Sequence, residues 1–457
     1  MPHNNKTKIV ATLGPAIDTK EKMKELAIAG VNVFRINFSH ANYDIVKQNI
    51  DRIREINKEN GFNIAILGDL QGPKLRVGVM EDGVELQDGD TFKFTTDQCI
   101  GTKEKAFMTY QRFPKDVKVG EQILVDDGKL LFEVESTNKV NEVIVKVIVG
   151  GPLKSKKGVN LPNTAISLPA LTEKDMEDAV FAIGQEVDWI ALSFVRTPED
   201  LRMLRDLIAQ HSEYRIPIIA KIEKPEAVKN LDALIPYCDG LMVARGDLGV
   251  EIPMQDVPLI QKKLVRRAKR ARIPVIIATQ MMETMIDNPV PTRAEVNDVA
   301  NSIMDGADAV MLSGETSVGK HPLKVIQKMS EIIKSVENSR MIKVPQEAPH
   351  IRTNRFITKS ICHHAAMMAN NTDAAAISTL TNSGYTAFQI LGKLNLLWGV
   401  KAYFYDNNFS TDDTVEDINR IIKEKGFVKP GDIVINLASM PAEARGMVNT
   451  LRVSEIE

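Results

Sequence analysis

The sequence predicts an α/β protein built on a (β/α)8 barrel, and three observations support that fold class. Short runs rich in β-branched residues alternate with amphipathic helical stretches, which is the pattern of a parallel sheet with crossover helices. Eight such runs occur, which is the number of strands in this barrel. A long segment without helical periodicity interrupts the alternation after the third run, as an inserted domain would. At about 150 residues per domain, the 457 residues have room for about three domains.

The barrel is predicted from two separated parts of the chain, residues 1–72 and residues 170–337. Its helices carry start signals: Thr197 is a cap residue, Pro198 suits the first helical position, and Glu199 places negative charge in the first turn. The eight strands are predicted at 8–13, 31–37, 63–68, 188–194, 216–222, 240–244, 273–278 and 308–312.

The interruption at residues 73–169 is predicted to be a small β-barrel domain inserted into the larger barrel. Short strands such as 122–125 and 142–149 are separated by turn signals such as Asp127-Gly128, and no long helical pattern is present. A linker with two prolines follows the large barrel. Residues 338–457 then return to strand and helix alternation, which predicts a C-terminal α/β domain.

Composition and charge exclude several classes of protein. Lys and Arg number 58 against 60 Asp and Glu, so the net charge of −2 offers no bulk attraction to nucleic acid or to an anionic membrane. No apolar run approaches the roughly 20 residues of a membrane span, and the polar N-terminus lacks the core of a signal peptide. The cysteines Cys99, Cys238 and Cys362 lie too far apart to indicate a disulfide framework or a zinc knuckle. We expect a soluble, cytoplasmic protein.

Charged and polar residues follow the predicted strands at their carboxyl ends, where the chemistry of such barrels takes place. Collecting so many charges at one end is unfavourable unless a ligand compensates them. The residues at these ends are Arg35, Asn37, Ser39, His40, Asp69, Lys221, Glu223, Arg245, Gly246, Asp247, Thr279, Ser313, Gly314 and Glu315.

Two of these residues have the chemistry of magnesium ligands. Glu223 and Asp247 supply hard carboxylates from adjacent strand ends, a partial shell that Mg²⁺ completes with substrate oxygens and water. Lys221 lies two residues before Glu223, so both side chains point to the same side of an extended segment. This spacing places a mobile cation beside the predicted metal site.

Other residues have the chemistry of anion binding. Gly246 allows a close backbone approach, and its N–H and that of Asp247 can bind a carboxylate. The guanidinium groups of Arg35 and Arg76 match the oxygens of a phosphate. Each feature also has an ordinary explanation, since Lys-Ile-Glu is usually a solvated strand edge, Gly-Asp is usually a turn, and both arginines could form surface salt bridges. Their coincidence at strand ends favours a Mg²⁺-dependent site for phosphoryl transfer.

Several long motifs resemble those of pyruvate kinases. Residues 216–228, IPIIAKIEKPEAV, are similar to the active-site signature of that family. The resemblance extends over the chain in the family's order and is weakest in the C-terminal region. The other motifs are at 6–15, 34–40, 158–162, 244–251, 291–296 and 312–316.

The resemblance implies the final step of glycolysis, the transfer of phosphate from phosphoenolpyruvate to ADP to give pyruvate and ATP. It implies a homotetramer, and Mg²⁺, or Mn²⁺ in its place, held by Glu223 and Asp247. It implies substrate contacts from Arg35, Lys221, Gly246, Asp247 and Thr279, of which Lys221, Arg35 and Thr279 are catalytic. It implies nucleotide contacts from Asn37, His40, Arg76, Asp126 and Lys157, with the inserted domain closing as a lid to exclude water.

The segment after the third strand departs from the commoner family pattern. Most potassium-activated members have Thr at the position of Leu70 and Glu at that of Lys74, and they bind K⁺ among the positions of Asn37, Ser39, Asp69 and Leu70. The ammonium of Lys74 would oppose a second cation about 4 Å away by about 4 kcal/mol at an effective dielectric constant of about 20. We therefore expect Lys74 to replace K⁺, which would then not be required. The alternative is that Lys74 only faces solvent at the hinge.

In the C-terminal domain, a Ser/Thr-rich turn between a strand and a helix resembles the loop where many pyruvate kinases bind an activating phosphosugar. Its hydroxyl and backbone N–H groups suit a phosphate, although an ordinary helix cap explains the same residues. The segment 438–446 departs from the usual effector-loop pattern, so no particular effector is indicated. A regulatory site for a phosphorylated metabolite is predicted at Thr379, Thr381, Asn382, Ser383 and Gly384.

Two other functions fit part of the pattern. A metal-dependent, pyruvate-type aldolase on the same barrel would use the pair of carboxylates, but it would need neither Lys221 nor the two arginines nor a lid over a nucleotide. A sensor without activity would be expected to lack Lys221 or one metal carboxylate, and both are present. Pyruvate formation that depends on ADP separates the kinase from the aldolase.

Overall fold

The computed structural model describes residues 5–162, 164, 166–339, 356–379, 394–403, 411–438 and 448–457. These residues form two compact units. The first comprises residues 5–339 together with 394–402, and the second comprises the remaining described residues. The predicted domain boundaries place residues 394–402 in the C-terminal domain, whereas their contacts group them with the barrel.

The described strands of the large barrel alternate with helices along the chain. The described strands of the whole chain are β1 (Lys8–Thr12), β2 (Val31–Asn37), β3 (Ala65–Asp69), β4 (Glu85–Leu86), β5 (Thr91–Thr95), β6 (Lys105–Phe107), β7 (Gln122–Val125), β8 (Leu130–Thr137), β9 (Glu142–Val149), β10 (Gly151–Pro152), β11 (Val159–Asn160), β12 (Trp189–Leu192), β13 (Ile218–Ile222), β14 (Gly240–Ala244), β15 (Val275–Ala278), β16 (Ala309–Leu312), β17 (Ala376–Thr379), β18 (Ile433–Ala438) and β19 (Thr450–Glu455).

The described helices are concentrated in the barrel. They are α1 (Lys20–Ala29), α2 (Tyr43–Asn60), α3 (Phe113–Asp116), α4 (Glu173–Gly184), α5 (Pro198–His211), α6 (Pro225–Lys229), α7 (Leu231–Leu234), α8 (Arg245–Glu251), α9 (Val257–Ala271), α10 (Arg293–Asp305), α11 (Gly314–Ser317), α12 (Pro322–Glu337), α13 (Phe356–Asn371) and α14 (Thr411–Glu424). Local sequence sets their ends: α5 begins at Pro198 as predicted, and α10 begins with a capping box between Thr292 and Glu295.

Eight parallel strands close into the predicted barrel. Their order is β1-β16-β15-β14-β13-β12-β3-β2, and the first and last of these also pair. Side chains from alternate strand positions, such as Val10, Leu67 and Met242, fill the interior, while a larger apolar cluster joins the outer strand faces to the helices. Because both faces are buried, the strands read as continuous apolar runs in the sequence. The (β/α)8 prediction is confirmed.

The inserted lid has its own apolar core. Its described strands form a six-stranded sheet in the order β11-β7-β8-β9-β5-β6, beside a two-stranded pair of β10 and β4. Phe92, Phe94, Phe113 and Phe132 pack ring against ring in this core. Residues 75–78 join the two ends of this order: the Val77 N–H donates to the Lys157 carbonyl oxygen beside β11 at 2.9 Å, and the Gly78 N–H donates to the Phe107 carbonyl oxygen of β6 at 2.8 Å. These bonds close the strands into the small barrel that the sequence predicts.

The second unit contains a three-stranded sheet. Strand β18 pairs in parallel with β17 and antiparallel with β19. Helix α13 packs against this sheet through a small cluster that includes Ala365 and Ile435. Strand, helix and strand therefore alternate here as predicted.

Residues 394–402 close the base of the large barrel, at the end opposite the predicted site. Leu396 is 1% exposed and joins the apolar cluster of the barrel interior. Gly399 donates its N–H to the carbonyl oxygen of Lys6 at 2.8 Å. The buried amine of Lys8, at the start of β1, donates to the carbonyl oxygen of Val400 at 2.6 Å.

Candidate active site

The carboxyl ends of three barrel strands bring together four charged side chains. Arg35 on β2 donates from Nε to Oδ2 of Asp69 on β3 at 2.6 Å. On β13, Lys221 places Nζ 3.2 Å from Asp69 Oδ1 and 3.0 Å from Oε1 of Glu223, which follows the strand. Both carboxylates are 1% exposed, so each depends on these cations for compensation. We call these four residues the charge cluster.

Two residues that the sequence analysis did not single out hold the charge cluster in place. Ser193 Oγ accepts from Lys221 Nζ at 2.6 Å and donates to the carbonyl oxygen of Leu70 at 2.7 Å. The backbone N–H of Phe194 donates to Glu223 Oε2 at 2.7 Å. Both residues follow β12 directly, so their place at a strand end is the signal that could have found them.

Burial and neighbouring charges set the protonation of the charge cluster. Burial raises the pKa of Glu223 to about 7, while Lys221 opposes the rise and Asp247 adds to it. Burial alone would raise the pKa of Asp69, but Lys221 and Arg35 outweigh it and the pKa is lowered. Burial disfavours the charged form of Lys221, yet Asp69 and Glu223 raise its pKa above the usual range. Lys221 therefore stays charged, and Glu223 lies where a further cation would favour its ionised form.

Gly246 and Thr279 form a second part of the site. The Gly246 N–H donates to Thr279 Oγ1 at 2.7 Å, and this hydroxyl donates to the Ala278 carbonyl oxygen at 2.6 Å. Thr279 has a φ of 70°, a left-handed conformation that β-branched residues rarely adopt. Arg245 holds the turn by donating to the Thr279 carbonyl oxygen at 2.8 Å and to Asp298 Oδ1 at 2.6 Å. Such strain is typical of functional sites, where the surrounding structure enforces it.

Glu223 and Asp247 are the residues that could hold a metal ion. They follow the neighbouring strands β13 and β14, and Asp247 lies close enough to raise the pKa of Glu223. Among the described residues, no three His, Cys, Asp or Glu side chains form a cluster that could hold a metal. Two carboxylates supply only part of the octahedral oxygen shell of Mg²⁺. The donor set therefore fits a magnesium ion that takes its remaining ligands from an anionic substrate and water.

Comparison with known proteins decides the family. Residues 4–326 match the family model described as "Pyruvate kinase, barrel domain", and residues 389–454 match "Pyruvate kinase, alpha/beta domain". The chain belongs to the pyruvate kinase family. The pyruvate kinase of Bacillus licheniformis is 43% identical over 98% of this chain and 80% of its own length. That of Mycobacterium tuberculosis is 39% identical over 98% of both chains.

A solved pyruvate kinase has the same fold. The crystal structure of a pyruvate kinase from Cryptosporidium parvum matches with a TM-score of 0.90 at 31% identity, and covers 99% of this chain and 97% of that one. As a member of the family the chain is a phosphotransferase, and the aldolase alternative is not supported. The family implies dependence on a divalent metal ion. No described helix has the length and apolar character of a membrane span.

The lid carries two of the predicted nucleotide residues as an ion pair. Lys157 Nζ lies 2.8 Å from Asp126 Oδ1, and the hydrogen bond from Lys157 lowers the pKa of that carboxyl. Arg76, the third predicted residue in this region, donates to the carbonyl oxygen of Lys156 at 2.9 Å. The structure therefore brings three cationic or anionic groups of the predicted nucleotide site together on the lid.

The lid faces the barrel mouth across a cavity. Asp127 and Asn160 of the lid line a space of about 490 Å³ together with Gly246 and Asp247 of the barrel. This volume is within the range of pockets for small-molecule ligands. Two of the predicted substrate residues, Gly246 and Asp247, therefore border one cavity with the lid.

Other predicted residues lie outside the charge cluster. Asn37 accepts from the N–H of Ser39 at 3.1 Å and so caps the short turn that follows β2. Leu70 is a buried apolar residue whose carbonyl oxygen accepts from Ser193. Lys74 is exposed at the hinge, and its amine has no hydrogen-bond or ion-pair partner in the part of the chain that the structure describes. The side chain of His40 lies outside the described residues.

Little of the predicted effector site can be described. Thr379 ends strand β17 and is exposed. Thr381, Asn382, Ser383 and Gly384 lie outside the described residues.

Proposed function

We propose that the site transfers the phosphoryl group of phosphoenolpyruvate to ADP, giving pyruvate and ATP, as the final step of glycolysis. The observation that carries this proposal is the charge cluster, in which the ammonium of Lys221 is held beside the carboxylate of Glu223 at 3.0 Å and next to Arg35 and Asp69. Two fixed cations beside a metal carboxylate match the charge that develops on a transferring phosphoryl group.

The metal ion is held by Glu223 and Asp247 and is Mg²⁺, or Mn²⁺ in its place. When bound, it would neutralise charge on the phosphoryl and enolate oxygens. The raised pKa of Glu223 supports this assignment, because burial and, to a smaller extent, the neighbouring Asp247 carboxylate disfavour its ionised form even with Lys221 beside it. A metal ion bound there would favour the ionised form of Glu223.

The residues of the site have separate tasks. Arg35 contacts the substrate phosphate, and Lys221 stabilises the charge that appears on the phosphoryl group and the enolate during transfer. Gly246, Asp247 and Thr279 bind the substrate carboxylate, which takes over the Gly246 N–H that donates to Thr279 Oγ1 at 2.7 Å in this structure. The Thr279 oxygen then loses the Gly246 donor, and its hydroxyl, which donates to the Ala278 carbonyl oxygen at 2.6 Å, lies near the carbon that must be protonated.

The lid binds the nucleotide and excludes water. Arg76, Lys157 and Asp126 contact the phosphates of ADP, with Asn37 and His40 nearby on the barrel. The ion pair of Lys157 and Asp126 supports this role, because it orders a cation on the lid before the nucleotide arrives. Closure would exclude the water that otherwise hydrolyses the phosphoryl donor.

The activity does not require K⁺, because the ammonium of Lys74, exposed in this structure, turns into the site and supplies the positive charge that a monovalent cation would bring. Leu70 supports this proposal, since its buried apolar side chain offers no oxygen ligand at the position where K⁺-dependent members have Thr. Asp69 supports it as well, because Arg35 and Lys221 contact its two oxygens at 2.6 and 3.2 Å.

We propose for this chain the assembly, location and regulation that are usual in the family. The protein forms a homotetramer in the cytoplasm, and binds neither nucleic acid nor membrane. A phosphorylated metabolite binds the C-terminal domain at residues 379–384.

The decisive test measures pyruvate formation with phosphoenolpyruvate, ADP and Mg²⁺, and then omits each in turn. We expect activity only with all three present, and a loss of at least about 100-fold in Glu223→Gln. The matched control is Glu213→Gln, since Glu213 is exposed just before β13 and is expected to leave the rate unchanged. Pyruvate released at the full rate without ADP would contradict the proposed function.

A further inference from the structure

A buried ion pair beneath the lid has no role in the reaction as proposed. Lys224 Nζ donates to Glu251 Oε1 at 2.7 Å, and the lid residue Asn160 donates from Nδ2 to the same oxygen at 2.8 Å. Lys224 is 6% exposed and Glu251 is 3% exposed. Glu251 Oε2 is buried and has no hydrogen-bond partner among the described residues. The lid and the barrel therefore both donate to Oε1 of Glu251. This oxygen accepts all the hydrogen bonds that compensate the buried charge of Glu251 among the described residues.

The ion pair is attached to both proposed metal ligands. Lys224 follows Glu223 directly at the end of β13. Glu251 lies four residues after Asp247 on α8, one helical turn away on the same face. The ion pair thus joins the two segments that carry the metal carboxylates. A shift of Lys224 or Glu251 would therefore also move Glu223 or Asp247.

On the lid, Asn160 is attached to the nucleotide residues. It ends β11, which pairs with β7 in a register that sets Val159 opposite Val125 and Asn160 opposite Leu124. Asp126 follows β7 directly, and Lys157 lies two residues before β11 begins. Because this short ladder ties Asn160 to Asp126 and Lys157, holding Asn160 in place also holds the nucleotide pair in place.

We propose that Asn160, Glu251 and Lys224 form a latch that fixes the lid over the barrel mouth in the position that binds a nucleoside diphosphate. The three are positioning residues, and the latch rests on the proposed function for its consequence in catalysis. Lys224 in the barrel and Asn160 in the lid donate to the same oxygen of Glu251, so the hydrogen bond from the Asn160 amide ties the lid to an acceptor that the barrel already holds in place. When the lid opens, this one bond is lost, while the ion pair within the barrel remains.

The test replaces the donor of the latch by an acceptor. Asn160→Asp sets a second carboxylate against Glu251 Oε1, so we expect the KM for ADP to rise at least about tenfold while the KM for phosphoenolpyruvate changes less than about twofold. Amide hydrogen exchange in residues 157–161 should accelerate in the same variant. The matched control is Gln98→Glu, which adds the same charge to an exposed lid loop and should change neither measurement.

Exchanging the two partners separates a latch from a general loss of structure. In the double variant Asn160→Asp/Glu251→Gln, the new amide can donate to the new carboxylate, and Lys224 can still pair with a negative charge. We expect this double variant to recover most of the lost ADP affinity and of the exchange protection. A double variant as impaired as Asn160→Asp, or unchanged exchange in Asn160→Asp, overturns the latch. The exchange measurement needs no substrate, so it judges the latch even if the wild type fails to form pyruvate and the proposed function is wrong.

Discussion

Lys8, at the base of the large barrel, is expected to make the stability of the barrel unit depend on pH. Its side chain is 0% exposed, and its amine donates to the carbonyl oxygen of Val400 at 2.6 Å. Burial lowers the pKa of Lys8 from 10.5 to about 7, the neighbouring Lys401 ammonium lowers it further, and Glu337 opposes the change. Between these two values the native state therefore binds fewer protons than the unfolded chain.

The sign and size of the effect follow from this difference. Because the unfolded state binds more protons above pH 7, the free energy of unfolding rises with pH from about 7 to about 10.5. The limiting slope is about 1.4 kcal/mol per pH unit, and at pH 7 half of the native amines are still protonated, so the wild type should gain about 2 kcal/mol between pH 7 and pH 9 relative to a variant without the amine. Below pH 7 the amine is protonated in both states, so it contributes no slope there.

Lys8→Met removes the titrating group and is the appropriate variant. The chain has two tryptophans, Trp189 and Trp398, and both lie in the barrel unit, so their fluorescence follows urea unfolding of that unit. The free energies of wild type and variant should diverge as the pH rises from 7 to 9. The exposed Lys47→Met serves as the control and should run parallel to the wild type. Parallel curves for the wild type and Lys8→Met would refute the assignment of a neutral amine.

Three further predictions concern the reaction and its regulation. Lys221→Met should lower kcat by several orders of magnitude with little change in the KM for phosphoenolpyruvate, because the charge of Lys221 acts in the transition state. Steady-state kinetics measures both constants. A variant that retains more than about a tenth of the wild-type kcat, a change in barrier of about 1.4 kcal/mol, would show that Lys221 does not have this role. The wild type should be fully active in tetramethylammonium buffer, and Lys74→Glu should acquire dependence on K⁺. Strong activation of the wild type by K⁺ would contradict the proposal that Lys74 replaces this ion. A screen of phosphorylated sugars and AMP at subsaturating phosphoenolpyruvate should find an activator. Ser383→Asp should abolish the activation, because its negative charge repels the phosphate of the activator. Activation that persists in Ser383→Asp excludes this loop as the binding site.

Contacts between distant residues explain what the sequence could not predict. Ser193 bonds to Lys221 across two strands, and Asn160 reaches Glu251 from another domain, 91 residues away in sequence. No local pattern marks such pairs, because strand and helix signals reflect only neighbours within a few turns. The predicted replacement of K⁺ by Lys74 and the predicted place of His40 near the nucleotide likewise remain predictions.

The sequence by itself determined the barrel, the order of its elements and the strand ends that carry the site. This was possible because strands buried on both faces must read as apolar runs, and because parallel strands deliver their carboxyl ends to one edge. The tertiary structure alone decided that residues 394–402 close the base of the barrel and that Lys8 lies there with no carboxylate of the described residues in hydrogen-bond contact. It also decided which carboxylates Lys221 joins. Burial and charge compensation depend on every segment that packs around a group, and those segments come from parts of the chain that no local sequence pattern connects.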